Sequence, residues 1–234
     1  MKLVPRTIKS DPVHVHKAHV YGTSRLLYDH KTNRSFVFVP IPKNASSWTK
    51  NVFKDALHFN YVTNGLQDRL PDHINPSAIL TSKREYVVVL RDPVDRWVTG
   101  IAQMLGSSEI KNFKSFAKLV DNPIVENNHV EPQCSFLNNL EVKHTTFFDT
   151  NNNYTKKLFM WAEEMNIKHL LSVPDVLGDS ENSFNLSNKK SKEWCNFIND
   201  LKLFLQENKE CYDKVRTAYH QDIHLRESIN FYGT

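Results

Sequence analysis

The chain has 234 residues, 40% of them hydrophobic and 24% charged, with a formal net charge of +4. That suffices for one domain with a substantial core. The mild positive balance suits an anionic ligand but is too weak to point to nucleic acid, and no apolar run approaches the ~18 residues of a membrane span.

Residues 1 to 30 are of mixed polarity and are expected to extend a single domain over 31–234. The start, M-K-L-V-P-R-T-I-K-S-D-P, lacks the apolar segment of a signal peptide. Cys134, Cys195 and Cys211 are an odd set without metal-type spacing. Both features predict reduced thiols and a cytoplasmic setting. His14, His16 and His19 lack a supporting Cys, Asp or Glu and read as a solvated segment. Of four N-x-[ST] sequons, at Asn33, Asn44, Asn153 and Asn185, the one at Asn44 falls where a glycan would obstruct the loop discussed next.

Phe36 to Val39 form a short aromatic and β-branched run, as in a buried strand, which Pro40 and Pro42 close. Lys43, Asn44, Ala45, Ser46, Ser47 and Trp48 follow. Residues 49 to 59 then carry Val52, Phe53, Ala56 and Leu57 at helical spacing. A strand, a tight turn and a helix start would offer backbone N–H groups, two hydroxyls and the Lys43 ammonium to an anion. Asn60 to Thr81 is polar and turn-rich, contains His73, and is of a kind that carries substrate contacts. Glu85 to Leu90 is the clearest strand, followed by R-D-P-V-D-R-W-V-T. In it Asp92 is a natural N-cap, and Pro93 fits the first helical turn. Two strands each running into a helix predict an α/β fold with a parallel, P-loop-like sheet, and place Lys43 and Arg91 in one crevice beyond the strand ends.

P-K-N-A-S-S-W resembles the P-K-S-G-T-T-W type of loop of sulfotransferases that use 3′-phosphoadenosine-5′-phosphosulfate (PAPS), with Ala45 where glycine is usual. The stretch from Arg91 to Thr99 resembles that family's 3′-phosphate motif, an arginine ending a strand and a Ser or Thr eight residues on. N-N-H-V-E-P-Q resembles an H-W-x-P-Q segment of carbohydrate sulfotransferases, with Val130 in place of tryptophan. The resemblance implies PAPS as donor and no metal. Lys43, Asn44, Ala45, Ser46, Ser47 and Trp48 would hold the phosphosulfate and adenine, and Arg91 and Thr99 the 3′-phosphate. Trp48 reads equally as a core aromatic. It further implies a hydroxyl-bearing carbohydrate or small-molecule acceptor, and His73 or His129 as general base beside Lys43, with His73 preferred.

Downstream, 111–120 reads as an amphipathic helix, 144–149 as a third strand, Tyr154 to Met165 as a helix and 169–173 as a fourth strand. Gly178 to Lys192 reads as a basic loop with Lys189 and Lys190, and the remainder as one or two amphipathic helices. Two rival readings use the same anion loop. A small-molecule kinase would need an acidic metal ligand, for which Asp92 is the candidate; a non-catalytic module would bind anions without turnover.

Overall fold

The computed structural model describes residues 23–60, 65–66, 75–107, 119–124, 128–137, 140, 142–150, 153–172 and 192–234. Its centre is a single six-stranded sheet. The run around Phe36 forms β2 (Arg34–Val39), preceded by β1 (Thr23–Asp29). The turn between them is fixed by Asp29, whose carboxylate accepts from the Lys31 amide at 3.1 Å and the Thr32 hydroxyl at 2.5 Å. Asn33 takes the left-handed conformation, with φ of 52°. β1 therefore pairs antiparallel with β2, and the sheet begins at Thr23, ahead of the expected domain start at residue 31.

Beyond β2 come α1 (Ser46–Val52), β3 (Leu57–Asn60), β4 (Gly65–Leu66) and α2 (Pro76–Thr81). These lead to β5 (Lys83–Leu90) and α3 (Pro93–Ser107). The strand order is β4-β3-β1-β2-β5, ending on β6 (Thr145–Asp149). β2, β5 and β6 run parallel, whereas β4, β3 and β1 join antiparallel. The expected parallel sheet is thus corrected to a mixed one. The short 30–33 turn permits only a hairpin, since a parallel return needs a crossover.

Two further expectations change. The helix over 49–59 stops at Val52, because Leu57 and Phe59 alternate onto the opposite sheet face from Trp48, Phe53 and Ala56. Of the strand expected over 169–173, the described residues 169–172 supply none: Lys168–Leu170 is a 3-10 turn. The free side of β6 is instead met by the chain end, where the Tyr232 amide donates to the Phe147 carbonyl at 2.8 Å.

Helices cover both faces. α1 and α4 (Tyr154–Glu164) pack Trp48, Val52, Leu158 and Trp161 on Phe36, Phe38, Val89 and Phe148. On the other face Ile79, Phe136 and Leu137 meet Val37, Val39, Val88 and Leu90. There too lies Leu225 of α7 (His220–Ser228). α3 packs Trp97, Val98 and Ile101 against α5 (Lys192–Glu207) and α6 (Lys209–Ala218). The C-terminal part is thus three helices, where one or two were expected. Among the described residues no helix is long and apolar enough to cross a membrane. His14, His16, His19, the segment 111–118 and the loop 178–191 lie outside the described residues.

Candidate active site

β2 ends at Val39, opposite Val88, and its parallel neighbour β5 runs on to Leu90, so the chain segments that leave them are neighbours at one end of the sheet. In the turn after β2, Lys43 and Ala45 both have positive φ, 68° and 57°, and Ser46 opens α1. A left-handed residue followed by a helical one points successive N–H groups into one concavity, an anion-binding nest. The first amides of α1 have no acceptors within the helix. Ser46 is half-buried and Ser47 exposed at the mouth of this turn.

Arg91 leaves β5 beside it. Its Nη1 donates to the Lys43 carbonyl at 3.4 Å and to the Thr99 hydroxyl at 3.3 Å. The eight-residue interval read from the sequence therefore brings arginine and threonine together as a pair. Thr99 in turn donates to a backbone carbonyl of its own helix, Arg96 at 2.9 Å or Asp95 at 3.1 Å, which leaves its lone pairs to Arg91. Asp92 caps α3 as expected, its Oδ1 accepting from the Asp95 amide at 2.9 Å. The Lys43 ammonium donates to Gln103 Oε1 on α3 at 2.6 Å. Burial first, then the charges of Arg91 and Arg96, bring its pKa down from 10.5 to about 8. Several cations thus converge here, which is costly unless an anion joins them.

Asn44 serves the scaffold. It is 1% exposed, and its Nδ2 donates to the Val89 carbonyl at 2.8 Å and to Gln133 Oε1 at 2.5 Å. Its amide donates to the Ile41 carbonyl at 3.2 Å. The N–H groups of Asn44, side chain and backbone alike, are thus engaged within the protein. Ala45 offers backbone alone. Trp48 is the core aromatic of the two readings weighed for it, 8% exposed and edge-on to Tyr154 and Phe159 at 5.7 and 6.3 Å.

Arg96, Gly100, Tyr219 and Asp222, which sequence reading passed over, organise the site together with Gln133. Arg96, fully buried, donates from Nε to the Pro42 carbonyl at 3.0 Å. Its Nη1 donates to the Glu131 carbonyl at 2.5 Å and its Nη2 to the Asn128 carbonyl at 3.1 Å. One guanidinium therefore ties the Lys43 turn to the 128–131 turn that carries His129. Gly100 lets α3 approach that turn: a Cβ there would sit 2.4 Å from the His129 carbonyl oxygen. Tyr219, also buried, donates its hydroxyl to the Val130 carbonyl. Gln133 binds both backbone groups of Arg91, accepting from its N–H at 3.0 Å and donating to its carbonyl at 2.9 Å. Gln133 is itself placed by buried Asp222, whose oxygens accept from the Gln133 and Cys134 amides at 2.7 and 2.8 Å. Burial raises the Asp222 carboxyl above its ordinary range, against those two amides and Arg96. The one cue in the sequence was the Pro132–Gln133 pair after His129.

His129 is half-buried, and burial, then Lys43 and Arg96, bring its pKa from 6.5 to about 4. It is neutral at physiological pH and lies within the field of the Lys43 cluster. His73 lies outside the described residues. Cys134 and Cys211 are free thiols, and burial beside Asp222 pushes the Cys134 thiol up. Among the described residues no group of three or more His, Cys, Asp or Glu is placed to hold a metal ion. No family model matches the chain, and no curated protein or solved structure matches it.

Proposed function

We propose that the protein is a sulfotransferase that moves the sulfuryl group of PAPS to a hydroxyl of a carbohydrate or small-molecule acceptor. The observation that carries this reading is the Arg91–Thr99 pair bonded to the Lys43 carbonyl, which joins two anion-binding segments at neighbouring strand ends. Burial and then the charges of Arg91 and Arg96 depress Lys43, an arrangement that fits a polyanionic nucleotide. PAPS would supply an already activated sulfuryl group on a phosphosulfate.

In this reading the Ser46 and Ser47 hydroxyls and the amides of the turn hold the 5′ group. Arg91, a planar fork, and Thr99 hold the 3′-phosphate. Lys43 neutralises charge on the departing phosphate; at ~4 Å and an effective dielectric of 20 that is worth about 4 kcal/mol before desolvation. Gln103 accepts from its ammonium and so keeps it aimed. His129 takes the acceptor proton. Its low pKa makes it a weak base alone, and an anion bound beside Lys43 offsets the charges that depress it.

Incubation with radiolabelled PAPS and a panel of glycan and small-molecule alcohols, without added metal, should label an acceptor. Lys43→Ala should lose at least about a hundredfold of the rate. Transfer from ATP with Mg²⁺ instead, or no transfer to any acceptor despite PAPS binding, would replace this reading with the kinase or the non-catalytic module. Comparing His129→Gln with His73→Gln identifies the base.

A further inference from the structure

The turn after β2 is held residue by residue from other parts of the chain. Arg96 takes the Pro42 carbonyl at 3.0 Å and Arg91 the Lys43 carbonyl at 3.4 Å. Asn44 is fixed through its side chain to Val89 and Gln133. The next carbonyl, of Ala45, accepts twice from Thr49 of α1, from its amide and from its hydroxyl, both at 3.0 Å. The Thr49 hydroxyl also lies 2.9 Å from the hydroxyl of Tyr154, the first residue of α4. Both side chains are buried. Tyr154 is held edge-on by Trp48 of α1 and Phe148 of β6, at 5.7 and 5.6 Å between ring centres.

Counting protons fixes the direction of this chain of hydroxyls. Thr49 has one proton to donate. Given to Tyr154, it would leave the phenol proton without an acceptor among the described residues. Given to the Ala45 carbonyl, it leaves the Thr49 lone pairs to accept from Tyr154, and every group is satisfied. Burial pushes the pKa of the phenol up, so Tyr154 keeps the proton it donates. In a planar trans peptide the carbonyl and the N–H that follows point in opposite directions. Holding the Ala45 carbonyl along α1 therefore holds the Ser46 N–H toward the turn formed by left-handed Lys43 and Ala45. We propose that Thr49 and Tyr154 are positioning residues of the anion-binding turn, Tyr154 orienting the Thr49 hydroxyl and Thr49 fixing the Ala45–Ser46 peptide. All three parallel strands then serve one site: β2 leads to the turn, β5 to Arg91, and β6 to Tyr154. The inference rests on the anion-binding role proposed for this turn, but not on PAPS as the ligand.

The Ser46 amide resonance reports on the turn directly. Titration with sodium sulfate, against sodium chloride at equal ionic strength, should give a saturable shift at millimolar sulfate. Thr49→Val, which keeps the shape and removes the hydroxyl, should weaken that binding about fivefold, and Tyr154→Phe about twofold. Thr49→Ser restores the hydroxyl and should bind as the parent does, a rescue that loss of packing alone would not give. Tyr154→Phe should cost nothing further in a Thr49→Val background, since its hydroxyl acts through Thr49. A shift no different from chloride, a Thr49→Val protein that binds as the parent, a Thr49→Ser protein as weak as Thr49→Val, or additive losses in the double variant would overturn the proposal. Titration of the same proteins with 3′-phosphoadenosine-5′-phosphate separates the two readings. A sulfate response that follows this pattern without nucleotide binding removes PAPS as donor and leaves the positioning pair standing.

Discussion

Replacing Arg96 separates its two tasks, holding two turns together and depressing the neighbouring histidine. Arg96→Met keeps the aliphatic stem over Phe136, whose ring centre lies 5.8 Å from the guanidinium carbon. It deletes the donors to Pro42, Asn128 and Glu131. Charged hydrogen bonds contribute about 1.5–3 kcal/mol each, but burial of the guanidinium offsets much of their sum. The carbonyls left without a donor, and an Asp222 that loses its nearby positive charge, set the net cost. We expect a loss of about 3–5 kcal/mol, the range for a broken buried charge network. Urea unfolding followed by tryptophan fluorescence measures it. Arg96→Lys restores the charge but not the fork, and should recover less than half of the loss. In whatever fraction stays folded, the His129 titration should move up from about 4 toward 6.5, because one of its three depressing causes is gone. An Arg96→Met protein within about 1 kcal/mol of the parent, with His129 unmoved, would refute the clamp.

Three other outcomes follow from the same geometry. Gly100→Ala should destabilise by about 1–3 kcal/mol, seen as a lower Tm. The gain of about 1 kcal/mol that alanine brings to a helix is outweighed by a Cβ placed 2.4 Å from the His129 carbonyl oxygen. Ala45→Gly should stabilise by about 0.5–1 kcal/mol in urea unfolding, since φ of 57° strains alanine more than the extra unfolded-state freedom of glycine costs; a loss of stability would contradict the left-handed turn. The folded-state pKa of Lys43 lies below its ordinary value, so the native protein sheds that proton first and stability gains as pH rises from about 8 toward 10.5. Anion affinity runs the other way, weakening as pH passes about 8, which sulfate or nucleotide titration at pH 6.5 and 9.5 would detect.

What the sequence disclosed was local. The strand cores Phe36–Val39, Val87–Leu90 and Phe147–Phe148 are wholly apolar, and Asp92–Pro93 carries its own start signal, so these elements stand where composition puts them. The spacing from Arg91 to Thr99 needs only one helix to become a contact, and it does. Other features depend on partners far along the chain. β1 is a strand because β2 and β3 flank it, and its own T-S-R-L-L-Y-D is only weakly patterned. Residues 169–173 looked like a strand, yet the position beside β6 goes to Phe231 and Tyr232. Arg96 looked like any basic residue on a helix; its role appears only when carbonyls at positions 42, 128 and 131 meet it. Asn44 sits in the loop that reads as a ligand site, but neighbouring strand ends draw its amide inward.

In the proposed function Lys43 and the Arg91–Thr99 pair form one cradle for a nucleotide carrying phosphates at both 3′ and 5′ positions. Calorimetric titration with 3′-phosphoadenosine-5′-phosphate, without metal, tests it most directly, beside adenosine 5′-phosphate, which lacks the 3′ group. The bisphosphate should bind at micromolar concentration, weakened at least about thirtyfold by Arg91→Ala, with little effect of that substitution on the monophosphate. Equal affinity for the two nucleotides, or bisphosphate binding that Arg91→Ala leaves intact, would contradict it.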